Sequence, residues 1–173
     1  MSDDASTATP LAAPTPARAA ADLLARHWDG RLPVDPQRIA AALGICVVAR
    51  GGPNDAGYDY SGYFDNGGEQ PVIEYNMSES PVRQRFTIAH ELGHFALGHA
   101  SAPRDMPSNF TTAVADDSER QANQFAAELL MPASELRLLL QSGRFRDIAA
   151  LASAFKTSAV AMGYRMQNLG IIR

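Results

Sequence analysis

Within the stretch FTIAHELGHFALGH (86–99), His90 and His94 stand four residues apart with Glu91 between them, and this HExxH spacing limits how the chain can fold. On a helix, residues four apart lie one turn apart on the same face, about 40° round from each other. Both imidazoles can then point a ring nitrogen at one cation. Glu91 is displaced from His90 by about 100°, which sets it beside such an ion rather than on it. There a carboxylate can take a proton from an attacking water. A bare HExxH is a short pattern that chance can produce. Here it falls in a long helix expected over about Ser80 to Leu97, whose apolar setting makes two histidines and a carboxylate costly to bury without partners.

HExxH supplies two ligands, and a catalytic zinc site ordinarily takes three from the protein. His99 lies about 140° round the helix from His94, out of reach of the same ion while the helix continues. A metzincin site would need Gly at 97 and His at 100, but these positions are Leu97 and Ala100. Cys46 raises a deformylase-like set, yet its surroundings, GICVV, read as those of a small buried hydrophobe. Asp116 and Asp117 look like residues that start a helix. Glu119 is the favoured third ligand. It opens the helix expected in SERQANQFAAELLMP (118–132), where Ser118 is a plausible N-cap and Gln121 completes a capping box. A carboxylate in a first turn is often mere dipole compensation. Against that stands its face: Glu119, Ala122, Asn123, Ala126 and Leu130 form one stripe at helical spacing. Small residues there would let this helix approach Ala89, Gly93 and Ala96 of the motif helix, and Asn123 could then orient a ligand histidine from behind.

The rest of the chain is organised around these two helices. Residues 1–16, rich in Ala, Thr, Ser and Pro, read as a disordered tail. Ala20, Leu23, Leu24 and Trp28 recur at helical spacing until Gly30, and DPQRIAAALG makes a second short helix. ICVVAR (45–50) reads as a strand, and Gly62–Asp65 with Val72–Tyr75 as a hairpin about Asn66-Gly67-Gly68. Residues 100–117 form a loop containing Pro103 and Pro107. Residues 133–173 are helical, with breaks at Gly143 and near Thr157. These elements predict an α+β fold, mostly helical with a small antiparallel sheet. The predicted division is a domain over 17–132 and a small C-terminal helical lobe over 133–173.

With 173 residues and 46% hydrophobic side chains, such a domain can build a core without staples. One cysteine excludes an internal disulfide and fits a reducing compartment. Asp3 and Asp4 stand where a secretory signal would need positive charge, and no apolar run reaches the roughly 18 residues of a spanning helix. A cytoplasmic location and no membrane partner are expected. A net charge of −4 offers no nucleic-acid coat.

HELGH followed by ERQANQFAAELLMP resembles the ImmA/IrrE family of metallo-endopeptidases, of the gluzincin type with HExxH and a downstream glutamate. PVDPQRIAAALGICVV, SGYF, PVIEYN and the close around NLGII extend the resemblance over most of the chain from about residue 20. It implies a zincin-like fold, His90, His94 and Glu119 as metal ligands and Glu91 as catalytic base. Zn²⁺ is the implied ion, and Mn²⁺ suits the same N/O donor set. It further implies a protein substrate, a helix-turn-helix repressor encoded nearby, whose cleavage switches on stress or mobile-element genes. Gln121 is a departure, since many members of that family carry an acidic residue there.

No single residue can be assigned as oxyanion stabiliser: Tyr58, Tyr60, Tyr63, Tyr75 and His99 are all candidates. The hairpin before the motif helix offers an edge strand for an extended substrate. FRDIAALASAFKTSAVAMGYRMQNLGII (145–172) reads as helix, turn, helix and invites a DNA-binding interpretation. From 133 to 173, six basic residues face Glu135 and Asp147, a surplus of four, and the second helix offers only Arg165 to bases or phosphates. DNA readers carry a denser basic footprint, so a lobe that closes the metal domain or docks a protein is favoured. The alternatives to an active endopeptidase are a DNA-binding regulator and a metal-bound, antitoxin-like protein that holds a partner without cutting it.

Overall fold

The computed structural model describes residues 14–52, 55, 57–99, 113–145 and 147–173, with backbone alone for 113–116. Among the described residues, seven helices and three strands follow in the order α1 (Pro16–His27), α2 (Pro36–Ala42), β1 (Cys46–Arg50), β2 (Gly62–Asp65), β3 (Val72–Asn76), α3 (Pro81–Leu97), α4 (Ala113–Leu130), α5 (Ala133–Gln141), α6 (Ile148–Phe155) and α7 (Ala159–Asn168). The fold is α+β, as its sequence pattern predicts. Of the expected disordered tail, residues 1–13 lie outside the described residues. Its last member, Pro16, is instead the buried first residue of α1, with the Thr15 side chain accepting from the Arg18 N–H. The loop prolines Pro103 and Pro107 also lie outside the described residues.

The sheet is mixed rather than antiparallel, with strand order β1-β3-β2. β2 and β3 form the expected antiparallel hairpin, Gly62 opposite Tyr75 and Asp65 opposite Val72. β1 then pairs with β3 in parallel, Cys46 opposite Val72 and Arg50 opposite Asn76. A hairpin offers a third strand two edges, and the choice fixes its direction. Here β1 and β2 lie on opposite sides of β3, and the residues at its C-terminal end bind both, the Asn76 N–H donating to the Ser61 carbonyl and the Met77 N–H to the Arg50 carbonyl. The Asn76 side chain adds to this by donating to the Tyr60 carbonyl and accepting from the Ser78 N–H. The Ser78 hydroxyl in turn donates to the Gly51 carbonyl. The edge position of β1 also accounts for Cys46, which is exposed and not a buried hydrophobe; Ile45 takes the core place instead.

α3 runs through the middle. Ser80 caps it by accepting from the Arg83 N–H, and Pro81 fills its first turn, where no intrahelical donor is needed. Every residue from Thr87 to His94 is buried. Such a helix needs cover on all sides. The hairpin covers one side, where Phe64 of β2 meets Phe95 edge-on with centroids 5.9 Å apart. α4 covers the other with Ala122, Phe125, Ala126 and Leu129, all wholly buried. A Cβ built on Gly93 would stand 3.3 Å from the Ala122 Cα and 3.0 Å from a ring carbon of Phe125. The small faces of α3 and α4 therefore meet as their stripes suggest.

One hydrophobic cluster runs from Ala19 through Leu129 to Phe155 and Met166, so α5–α7 share the core of the preceding elements. Arg165 of α7, 4% exposed, spans to α4: its two terminal nitrogens bind the Glu128 carboxylate at 2.7 and 2.5 Å, and its Nε donates to the Met131 carbonyl at 3.0 Å. The one basic side chain that α7 offers to nucleic acid is thus consumed inside the protein. No helix among the described residues is long and apolar enough to cross a membrane.

Candidate metal centre

Glu119 lies well inside α4, not in its first turn, because the helix begins at Ala113. Ser118 is therefore no N-cap and the box with Gln121 does not form. Ala-rich sequence with Asp116 and Asp117 gives the chain no reason to wait until 118, since alanine favours helix and carboxylates suit its first turn. Asp117 instead bonds Arg120 and the Gln121 amide, the latter at 2.5 Å. With the helix start moved upstream, dipole compensation no longer accounts for Glu119.

Its side chain reaches across to α3. Glu119 Oε2 stands 3.1 Å from His90 Nε2, and Oε1 stands 3.2 Å from His94 Nε2. The two Nε2 atoms are 3.0 Å apart. Among the described residues, these three side chains form the one group able to hold a metal, their ligand atoms all within 4.8 Å of one another. A tetrahedral cation with ligands at about 2.0–2.1 Å has them roughly 3.3 Å from each other, so the three separations suit an ion at their centre. Hydrogen bonds from His90 and then His94 hold the Glu119 carboxyl far below its ordinary range, against the opposing effect of burial. It stands there as a carboxylate, the form a cation needs. Both histidines are buried, at 0% and 5% exposure, whereas the Glu119 side chain is 41% exposed. The donor cluster thus opens to solvent on its α4 side.

The opposite ring nitrogens are also engaged. His90 Nδ1 lies 3.0 Å from Asn123 Oδ1, one turn along α4 from Glu119. An amide oxygen only accepts, so a proton sits on His90 Nδ1, and Nε2 is the atom that would offer its lone pair to a cation. His94 Nδ1 lies 3.1 Å from Nδ1 of His99. That contact does not follow from helical spacing. α3 stops at Gly98, whose φ of 69° is left-handed, and the chain folds back. The available signal was Gly98 itself, a residue suited to end a helix in that way. Burial and then the neighbouring His94 push the His99 imidazole down, favouring its neutral form.

Glu91 is wholly buried on the next face of α3. β2 runs against it so closely that a Cβ on Gly62 would lie 2.9 Å from Glu91 Oε1 and 2.3 Å from Thr87 Cγ2. Tyr58 sits on the same side. Burial, then the charges of Glu74 and Glu91, push its phenol well above the ordinary range, so it stays a proton donor. Among the described residues, Cys46 belongs to no group able to hold a metal.

Residues 40–167 match a peptidase family, M78, described as the IrrE N-terminal-like domain. Over 106 residues the chain is 29% identical to a protein of Bacillus subtilis named metallopeptidase ImmA, covering 61% of each chain. Over 98 residues it is 29% identical to immunity region protein 2 of Bacillus phage phi105, covering 57% of this chain and 59% of that one. The chain thus spans about three fifths of the length of both relatives.

Proposed function

The chain belongs to the M78 peptidase family of the IrrE N-terminal-like domain, and from that premise we propose that it is a metal-dependent endopeptidase. The observation that carries this reading is the convergence of His90, His94 and Glu119 from two helices, with Glu91 buried alongside. His90, His94 and Glu119 are the ligands and Asn123 orients His90. Zn²⁺ is the ion best suited to two imidazoles and one carboxylate, and Mn²⁺ is the next candidate. When bound, such an ion supplies Lewis acidity that acidifies a water and polarises a peptide carbonyl.

The chain's own residues do the remainder. Glu91 takes the proton of the attacking water and returns it to the departing amine, a role typically worth about 10² to 10⁴ in rate. Its burial keeps bulk water from competing for that proton. β2 is an edge of the sheet with Gly62 on Glu91, so an extended substrate segment that pairs with β2 would run past the base. Tyr58, held protonated, is a donor on the same side. Residues 133–173 act as a helical lobe closing the domain of 17–132, tied to it by Arg165 and Glu128.

The substrate we infer is a helix-turn-helix repressor, cut to release stress or mobile-element genes in the cytoplasm. One relative is named for a phage immunity region, a setting that suits such a circuit. The test is to co-express the chain with the repressor encoded beside it and follow the repressor by immunoblot. Cleavage by the wild type, absent with Glu91→Gln, supports the proposal. An intact repressor that co-purifies with a metal-loaded wild-type chain would favour a binding role without hydrolysis.

A further inference from the structure

His99 has no part in the ligand set or in proton transfer, yet it is built into the site. Gly98 and His99 close α3 in a Schellman turn: the His99 N–H donates to the His94 carbonyl at 2.9 Å and the Gly98 N–H to the Phe95 carbonyl at 3.2 Å. The turn brings the His99 ring back against that of His94, with centroids 5.1 Å apart and planes at 69°, and sets the two Nδ1 atoms 3.1 Å apart. Two imidazole nitrogens at that distance share a hydrogen bond only if one carries a proton and the other does not.

The proton's place is decided by the other end of the His94 ring. His94 Nε2 faces Glu119 and His90 Nε2, and toward a cation it must present its lone pair. A neutral His94 then carries its proton on Nδ1, and His99 Nδ1 must accept it. We propose that His99 is a positioning residue that holds His94 in its metal-ligating tautomer, as the Asn123 carbonyl does for His90. The two ligands are thereby braced from opposite directions, His90 from α4 and His94 from the turn that ends its own helix. The inference rests on the metal reading proposed above and assigns to it a residue outside the HExxH motif.

The test is metal affinity of the full chain, stripped of metal and titrated with Zn²⁺ against a chromophoric chelator. His99→Phe keeps an aromatic ring and removes the acceptor. His99→Asn removes the ring and places a carbonyl oxygen near the position of Nδ1. Loss of an orienting partner typically weakens metal binding about 10- to 100-fold, which is expected for His99→Phe, with His99→Asn restoring most of it. Thermal melts of the metal-free proteins report any loss of folding, and His99→Leu replaces the Phe variant if that one fails to fold. Equal affinity in wild type and a folded non-accepting variant overturns the proposal. So does equal weakening in the Asn and the non-accepting variants, since the hydrogen bond would then be irrelevant. A folded wild type that binds neither Zn²⁺ nor Mn²⁺ overturns the metal reading itself, and this inference with it.

Discussion

Gly62→Ala tests whether the backbone of β2 sets the position of the proposed base. The added methyl would stand 2.3 Å from Thr87 Cγ2, 2.9 Å from Glu91 Oε1 and 3.1 Å from the Glu74 carbonyl oxygen. Carbon atoms pack at about 3.5–4.0 Å, so the approach to Thr87 is short by more than about 1 Å. Thr87 is wholly buried and β-branched, so its χ1 has little freedom to turn the methyl aside. The Glu74 oxygen belongs to the neighbouring strand and cannot yield alone. The soft partner is the Glu91 carboxylate. Overpacking of this kind costs about 1–3 kcal/mol. Losing glycine's freedom in the unfolded chain returns about 0.4–1 kcal/mol. A net loss of about 1–2 kcal/mol lowers the melting temperature of a domain this size by roughly 2–8 °C. Displacing a catalytic group by about 1 Å costs on the order of 10² in rate. Metal affinity should hold, because His90, His94 and Glu119 make no contact that the methyl disturbs. The assays are a thermal melt, a Zn²⁺ titration and peptidase turnover of the same preparation. Adding Thr87→Ser, which deletes Cγ2, should recover most of the stability. A Gly62→Ala chain as stable and as active as wild type would refute the close approach of β2 to Glu91.

Three further substitutions probe other parts of the argument. Glu119→Ala should leave the fold intact and abolish tight Zn²⁺ binding, measured by metal content after dialysis; retention of stoichiometric metal would remove Glu119 from the ligand set. Arg165→Met leaves Glu128 and the Met131 carbonyl without their partner and should cost about 2–3 kcal/mol by urea denaturation, with Glu128→Leu in the same chain recovering part of it. No loss in the single variant would mean that the bridge between α7 and α4 contributes nothing. Gly93→Ala places a methyl 3.3 Å from the Ala122 Cα and should weaken Zn²⁺ binding by about tenfold or more by parting α3 from α4, despite a helix-propensity gain of about 1 kcal/mol. Unchanged affinity would show that the two helices can yield without disturbing the donors.

The sequence makes α3 legible almost to the residue, because both its ends carry local signals and its interior carries the chemistry. Ser80 and Pro81 start it, and Gly98 ends it in a left-handed turn. The hairpin is equally local, its turn residues lying between two short apolar runs. The placement of β1 is not, since its pairing with β3 rather than β2 is a long-range choice that no short-range signal records. The exposure of Cys46 follows from the same choice. Arg165 looks like a solvent-facing cation on its helix, and only the packing of α7 on α4 brings it to Glu128.

The misjudged start of α4 and the unread turn after α3 had opposite consequences for the site, and the reason is geometric. Starting α4 at 118 instead of 113 leaves every residue inside it on the same face, because side chains advance by about 100° per residue wherever the helix begins. The stripe that carries Glu119, Asn123, Ala122 and Ala126 toward α3 therefore survives the error, and only the reason for doubting Glu119 disappears with it. His99 lies beyond the end of α3 at Leu97, where helical phase no longer applies. Helical phase sends His99 to the far side of His94, whereas the left-handed turn at a single glycine returns it to hydrogen-bonding distance. A ligand within a helix can be read from periodicity alone. A residue just past the helix end depends on one φ angle, which makes Gly98 as much a part of the proposed bracing of His94 as His99 itself.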